Sequence, residues 1–199
     1  IKPEERLVFF GKYRELIQKC DLAVLSGSMA PGLAEDLYAD LIEIARDFGK
    51  RTILDTSAEG LVQGLKAGPW LVKPNRRELE YVAGHRCRSQ EELLDAARNM
   101  LSDRAEWAAV SVGEKGMYLV GAKTALFAAA PKVDTVNTVG CGDSACAAFA
   151  LSALKNEGPK QMLVRAVAMS AASASTFESG SVPLKLAQDL MDQVKVVSL

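Results

Sequence analysis

A short segment of the chain combines residue types that can handle phosphate. Gly140 and Gly142 enclose Cys141, Asp143 follows at once, and the small, mostly apolar residues 145–154 indicate a helix. Glycines let a backbone turn tightly and approach a ligand closely. The start of a helix offers N–H groups without helical partners and a partial positive charge, which suit phosphate oxygens. The Asp143 carboxylate has two interpretations, because it can cap the helix or take a proton from an attacking hydroxyl.

Three further segments join an apolar, strand-like run to a polar or glycine-bearing turn. They span residues 25–32, 70–78 and 110–116. The second carries Lys73, Asn75 and Glu78, and the third ends in a Gly-x-x-Gly turn. Because Asn75 and Glu78 lie three residues apart at the start of a predicted helix, they also have the pattern of a capping pair.

The elements that must position these segments alternate between strands and helices, which favours a mostly parallel sheet covered by helices. Gly49 is expected to close the first helix, and Ser89 with Glu92 has the pattern of a capping box. The sequence predicts a single domain, since it has no repeats or linker-like stretches. Helices are predicted over residues 34–48, 59–67, 76–83, 91–102, 143–156, 161–176 and 184–194. Strands are predicted over 21–26, 51–55, 70–72, 108–112, 117–120 and 124–128, with a hairpin through 121–123.

Composition excludes several classes of function. The net charge of −1 gives no basic surface for nucleic acid or an anionic membrane, and no apolar run approaches the roughly 20 residues that span a bilayer. The four cysteines, Cys20, Cys87, Cys141 and Cys146, lack the spacing of a zinc site. These features predict a reduced, cytoplasmic protein.

In their order along the chain, the four segments resemble the ribokinase/phosphofructokinase-B family of sugar kinases, and most of all its phosphosugar branch. The similarity runs from about residue 21 to about residue 180. It implies an α/β fold, the ribokinase-like three-layer α/β/α arrangement with a mostly parallel sheet. Members of the family are longer and carry N-terminal strands and a small β lid. The resemblance therefore implies that residues 1–199 are the C-terminal portion of one kinase domain, with a homodimer through the lid as one arrangement.

The activity that the resemblance implies is ATP-dependent phosphoryl transfer to a hydroxyl of a ketohexose monophosphate. A 1-phosphofructokinase-like enzyme would give fructose 1,6-bisphosphate and ADP, and tagatose-6-phosphate kinase and 6-phosphofructokinase are the alternatives. The implied cofactors are ATP and Mg²⁺, with a monovalent cation such as K⁺ as an option. The implied partners are small molecules, without nucleic acid or membrane.

The resemblance also assigns roles to residues of this sequence. Asp143 matches the base, and the N–H groups of residues 140–143 match the anion hole, which contains Gly140, Cys141 and Gly142. Asn75 and Glu78 match the motif that orders Mg²⁺, which keeps much of its water shell and needs few protein ligands. The nucleotide would be bound by Lys73, Asn75, Ser111, Gly113, Glu114, Gly116, Met169 and Ser173, and the sugar by Ser28 and Asp143.

Each assignment has a plainer alternative. Lys73 could be a solvated lysine, residues 113–116 a simple β-turn, and Met169 and Ser173 ordinary packing residues of a helix. The family usually has alanine where this chain has Cys141. That cysteine is interpreted as a small apolar replacement, and the alternative is a thiolate with a pKa lowered by the helix N-terminus.

Other classes of protein fit the sequence less well. A dinucleotide-binding oxidoreductase requires Gly-x-Gly-x-x-Gly after a strand, and residues 113–116 and 140–142 each supply only part of it. The Gly-Lys-Ser/Thr of a P-loop kinase does not occur. A nucleotide-binding module that no longer turns over stays open, because the anion hole is altered at Cys141.

Overall fold

The computed structural model of the chain describes residues 2–29, 32–101 and 105–199. The helices are α1 (Pro3–Ile17), α2 (Leu37–Asp47), α3 (Ala58–Lys66), α4 (Arg76–Ala83), α5 (Gln90–Met100), α6 (Cys141–Leu154), α7 (Pro159–Ala174) and α8 (Leu184–Met191). The strands are β1 (Leu22–Ser26), β2 (Arg51–Asp55), β3 (Leu71–Val72), β4 (Trp107–Ser111), β5 (Gly116–Val120), β6 (Ala125–Ala129) and β7 (Val196–Ser198). One turn of 3₁₀ helix spans Gly113–Lys115.

The seven strands are hydrogen-bonded in chain order, from β1 to β7. Strands β1 to β4 are parallel, with Leu25 beside Leu54 and Val72 beside Ala108. Strands β5, β6 and β7 pair antiparallel, so the sheet is mixed and the α/β fold class is confirmed. Contacts divide the chain into two compact units, residues 1–108 and 109–199. The prediction that both units belong to one kinase domain stays a prediction.

In the first unit, helix α2 illustrates how the sequence determines packing. Leu41, Ile44 and Ala45 recur at helical spacing and are buried. Gly49 adopts a left-handed φ of +67°, and the N–H of Lys50 donates to the carbonyl of Ala45 at 2.9 Å, which closes the helix as predicted. Phe48 belongs to the same apolar pattern but is 40% exposed, because the helix ends before it.

Helix α1 was absent from the predictions. Its apolar residues do not form one stripe, since Leu7 and Val8 are 73% exposed while Phe10 and Ile17 are buried. It nevertheless packs on α2, and the Tyr13 hydroxyl donates to the carbonyl of Leu41 at 3.2 Å. Burial of that hydroxyl raises the pKa of Tyr13 to about 12.

In the second unit, α7 packs against α6, α8 and strands β5 to β7. Both α6 and α7 are rich in alanine, and small side chains allow close approach of neighbouring helices. The far end of α6 is joined to α7 by a polar cluster in which Arg165 contacts Glu157 and Ser152. The Arg165 guanidinium holds the pKa of Glu157 below its usual value.

Ala58 in the first unit has a strained backbone conformation, and a substitution can test that strain. Ala58, the first residue of α3, is exposed and has a φ of +51°. A left-handed conformation costs an L-residue roughly 1–2 kcal/mol that glycine does not incur. We expect Ala58→Gly to raise the free energy of unfolding by about 0.5–1 kcal/mol, measured by urea denaturation.

The matched control is Ala147→Gly, an exposed alanine inside α6. There the same chemical change should lower the free energy of unfolding by about 1 kcal/mol. Equal losses in both variants would contradict a strained Ala58.

Candidate functional site

In the first unit, the residues after β3 are held in a fixed turn. Asn75 is the N-cap of α4, and its side-chain oxygen accepts from the N–H groups of Arg77 and Glu78 at 2.9 and 3.0 Å. Glu78 in turn accepts from the N–H of Asn75 at 2.8 Å, which completes a capping box. The predicted capping pair is confirmed, and one oxygen of each side chain is therefore committed to the helix.

Glu78 is only partly exposed, and burial raises the pKa of its carboxyl. The Asn75 amide and Lys73 lower that pKa, whereas Asp55 raises it. A nearby divalent cation would favour the ionised carboxylate. The amide and carboxylate thus suit a largely hydrated Mg²⁺.

Lys73 is not the solvated lysine of the plainer interpretation. It is 5% exposed, and its Nζ lies 3.1 Å from Oδ1 of Asp55. Asp55 ends β2, and Lys73 follows β3, its parallel neighbour. The carboxyl ends of these two strands therefore bring a buried ion pair to the same edge of the sheet.

Ser28 lies in the exposed loop that follows β1. Of the segment 25–32, Ala30 and Pro31 lie outside the described residues. Gly27 anchors this loop, because its N–H donates to the carbonyl of Asp55 at 3.0 Å. Its carbonyl accepts from the hydroxyls of Tyr38 and Thr56, each at 2.8 Å, so Ser28 is held close to the end of β2.

In the second unit, Gly140 is the N-cap of α6 with a left-handed φ of +86°. A side chain there would place its Cβ 2.2 Å from the backbone nitrogen of Gly180, so only glycine fits. The helix begins at Cys141, two residues earlier than predicted, and Asp143 is its exposed third residue. Gly140 holds the N-cap position, and the two interpretations of Asp143, as a cap within the first turn and as a base, both stay predictions.

The segment before this turn is tied to the end of α7. The N–H groups of Val136 and Asn137 both donate to the carbonyl of Ala174, at 2.8 and 3.1 Å. The Asn137 side-chain amide donates to the carbonyl of Phe177 at 3.1 Å and to the hydroxyl of Ser179 at 3.2 Å. These bonds therefore fix the backbone that leads into the first turn of α6. One N–H group of that turn is already bonded, because the N–H of Cys141 donates to the carbonyl of Thr138 at 3.3 Å.

Cys141 is partly buried in this turn, and burial raises the pKa of its thiol. The neighbouring Ser173 hydroxyl and the backbone lower the pKa, but by less. The alternative of a thiol pKa lowered by the helix N-terminus is therefore contradicted, and the raised pKa favours a neutral thiol. That Cys141 is a small apolar replacement stays a prediction. Its thiol faces the carbonyl of Asn137 at 3.9 Å.

This protonation state predicts slow alkylation of Cys141. Alkylation requires an accessible thiolate, and Cys20 is exposed whereas Cys141 is partly buried. We expect iodoacetamide at pH 7.5 to label Cys20 at least about tenfold faster than Cys141, as measured by peptide mass spectrometry. Unfolding in urea should equalise the two rates. Faster labelling of Cys141 in the folded protein would indicate a stabilised thiolate.

The turn after β4 places Ser111 at the end of that strand and Gly113 and Glu114 in exposed positions. Gly113 has a φ of +64° with open space beside it. Gly116 has a structural role in the sheet, because a Cβ there would lie 1.9 Å from the carbonyl oxygen of Ala128. Gly116 is thus required by the β5–β6 pairing, and that Gly113, Glu114 and Gly116 contact a nucleotide stays a prediction.

Met169 and Ser173 lie on α7 and are both buried. Ser173 is 1% exposed, and its hydroxyl oxygen lies beside the Cys141 thiol without hydrogen-bond geometry to any described residue. This fits the packing interpretation of Met169, but it leaves a buried polar group beside the first turn of α6.

Sequence reasoning missed Asp55, Thr56 and Asn137. Asp55 could have been found, because it is a carboxylate at the end of a predicted strand. The contacts of Asn137 with residues 177–179 gave no signal in the sequence.

The described residues show neither a metal-binding cluster nor a membrane-spanning helix. Within residues 2–29, 32–101 and 105–199, no group of three or more His, Cys, Asp and Glu side chains could hold a metal ion. No helix in the described parts of the chain has both the length and the apolar character needed to cross a membrane.

The chain belongs to the pfkB family of carbohydrate kinases, whose family model matches residues 4–185. Among curated relatives, it is 33% identical over 180 residues to a 1-phosphofructokinase of Haemophilus influenzae, covering 90% of this chain and 58% of that protein. It is 36% identical over 160 residues to a 1-phosphofructokinase of Escherichia coli K12, covering 80% and 51% respectively. The chain thus spans little more than half the length of these relatives.

The solved structures agree on the fold. Phosphofructokinase-2 from Escherichia coli in complex with potassium matches with a TM-score of 0.85 and 27% identity, over 92% of this chain and 61% of that one. A Thermotoga maritima structure matches with a TM-score of 0.89 over 100% of this chain and 63% of that one. Its 20% identity supports the fold alone. The ribokinase-like three-layer α/β/α architecture is therefore confirmed.

Proposed function

We propose that this chain carries the nucleotide-binding and catalytic residues of an ATP-dependent phosphosugar kinase. The reaction is transfer of the γ-phosphoryl group to a hydroxyl of a ketohexose monophosphate. A 1-phosphofructokinase-like activity gives fructose 1,6-bisphosphate and ADP. The first turn of α6 carries the proposal, because Gly140 fixes its backbone and Asp143 is its exposed third residue.

Asp143 is proposed to take the proton of the acceptor hydroxyl. That oxygen then bonds to the γ-phosphorus as the bond from phosphorus to the β–γ bridging oxygen breaks, and ADP leaves. Phosphoryl transfer depends mainly on positioning and on neutralising charge. N–H groups at the start of α6, among Gly140, Cys141 and Gly142, would receive the transferred phosphoryl oxygens, aided by the helix dipole.

The remaining predicted residues bind the substrates. Lys73 and Asn75 would contact the nucleotide phosphates. Ser111, Gly113, Glu114 and Gly116 would contact the rest of the nucleotide. Ser28 would contact the sugar phosphate, from a loop that Gly27 anchors. Met169 and Ser173 would border the adenine from helix α7.

Mg²⁺ is the proposed metal, held by Asn75 and Glu78 largely through water. It would neutralise phosphate charge together with Lys73 and backbone N–H groups. The potassium bound by the Escherichia coli phosphofructokinase-2 supports a monovalent cation as a second ion. A homodimer stays a prediction.

A single assay tests the proposal. ADP release is measured with Mg²⁺ and ATP against fructose-1-phosphate, tagatose-6-phosphate, fructose-6-phosphate and ribose, with a reaction lacking sugar as control. Sugar-dependent release with fructose-1-phosphate supports the proposed activity, and preference for another sugar phosphate identifies the alternative. Binding of ATP without release on any sugar would instead indicate a nucleotide-binding module that no longer turns over.

A further inference from the structure

The ion pair between Lys73 and Asp55 is unusual for its depth. Lys73 is 5% exposed, whereas a lysine normally extends its ammonium to water even when its stem is covered. Burying an ammonium is costly unless a carboxylate compensates it. The Asp55 carboxylate lies 3.1 Å from the Lys73 Nζ and is itself largely covered.

Stability alone is a weak reason for such a pair, because well-packed apolar residues of the same volume often stabilise a protein equally well. A cation at a fixed place is therefore the feature to explain. The backbones on both sides are already fixed. The N–H of Lys73 donates to the carbonyl of Leu54 at 2.9 Å, and the carbonyl of Asp55 accepts from Gly27 at 3.0 Å.

The lysine side chain that extends from this fixed backbone has several rotatable bonds. Asp55 supplies an anchor for its end, since the carboxylate projects from a strand terminus that Thr56 also secures through its bond to Gly27. The Lys73 ammonium is thus paired with a carboxylate at a fixed strand terminus.

We propose that Asp55 is a positioning residue, which holds the Lys73 ammonium at the carboxyl end of β3 so that it meets the nucleotide phosphates. This inference rests on the proposed kinase function. Asp55 itself would not touch the reacting atoms. Asp55 also brings a negative charge near the phosphates, which by itself would weaken ATP binding. Removing that charge therefore weakens ATP binding if the positioning of Lys73 dominates, and strengthens it if repulsion dominates.

The test compares ATP with adenosine, which lacks the phosphates. Binding of each labelled ligand in the presence of Mg²⁺ is measured by equilibrium dialysis for the wild type, Asp55→Asn, Lys73→Met and the double variant. We expect Asp55→Asn to weaken ATP binding by about tenfold and to leave adenosine binding unchanged. In the Lys73→Met background, Asp55→Asn should weaken ATP binding no further.

Asp40→Asn is the matched control, because it removes a carboxylate 2.8 Å from Arg6 in the same unit. It should alter neither ligand. Unchanged or tighter ATP binding by Asp55→Asn would overturn the inference, as would equal losses for ATP and adenosine or additive losses in the double variant. If the wild type binds no ATP, the proposed function fails and the inference fails with it. If the wild type binds ATP but Asp55→Asn binds it equally well, only the inference about Asp55 fails.

Discussion

Replacing Asp143 by asparagine should lower kcat by about 10²–10⁴-fold, with little change in the affinity for ATP. Loss of a general base typically has this magnitude. Asparagine has nearly the same shape, so the backbone of the first turn of α6 is retained. Steady-state ADP release and equilibrium binding of ATP, measured on the same preparation, separate the two effects.

Glu91→Gln provides the control for this prediction. Glu91 is an exposed carboxylate in the first turn of α5, so its neutralisation removes a similar favourable interaction with a helix dipole, worth roughly 0.3–1 kcal/mol. Its kcat should equal that of the wild type. If Asp143→Asn retains more than a tenth of the wild-type kcat, Asp143 is not the base.

Replacing Gly140 by alanine should both destabilise the protein and lower turnover. The new Cβ would lie 2.2 Å from the nitrogen and 2.7 Å from the Cα of Gly180, and backbone atoms cannot move aside as a flexible side chain can. The φ of +86° adds strain for alanine. Together these effects should lower the free energy of unfolding by about 2–4 kcal/mol, measured by urea denaturation.

Gly113→Ala is the matched substitution. Gly113 also has a positive φ, but a Cβ there meets nothing within 4 Å, so only the conformational cost of about 1–2 kcal/mol applies. The difference between the two variants therefore measures the contact with Gly180. Equal losses would mean that this contact does not constrain the turn. Turnover should fall by at least about 10²-fold in Gly140→Ala, since the anion-binding backbone shifts.

Local chemistry made much of the fold predictable. Gly49 ends α2, Asn75 and Glu78 cap α4, and the 121–124 turn closes a hairpin through a 2.8 Å bond from Gly121 to Thr124. Each of these features depends on residues close in sequence. The Ser89 capping box formed only in part. Ser89 accepts from the N–H of Glu92, but the Glu92 carboxylate accepts from Arg88 instead of Ser89.

Features that depend on distant contacts were not predictable. Helix α1 has no single apolar face, and β7 is only three residues long. At the candidate site, the sequence showed that Gly140 and Asp143 lie at the start of a helix, but not that Gly180 enforces the conformation of Gly140. No residue near Lys73 in the sequence indicated that Lys73 would form a buried ion pair with Asp55.

The bonds from Asn137 to residues 177 and 179 have a consequence for how this unit can vary. They join the connection after α7 to the segment that leads into α6, so the backbones of these two segments move together. A substitution, insertion or ligand that displaces the carbonyl of Phe177 also displaces Asn137, and through it the backbone that precedes Asp143. The 175–181 connection therefore constrains the backbone that precedes Asp143, although Phe177 lies 40 residues from Asn137 in the sequence.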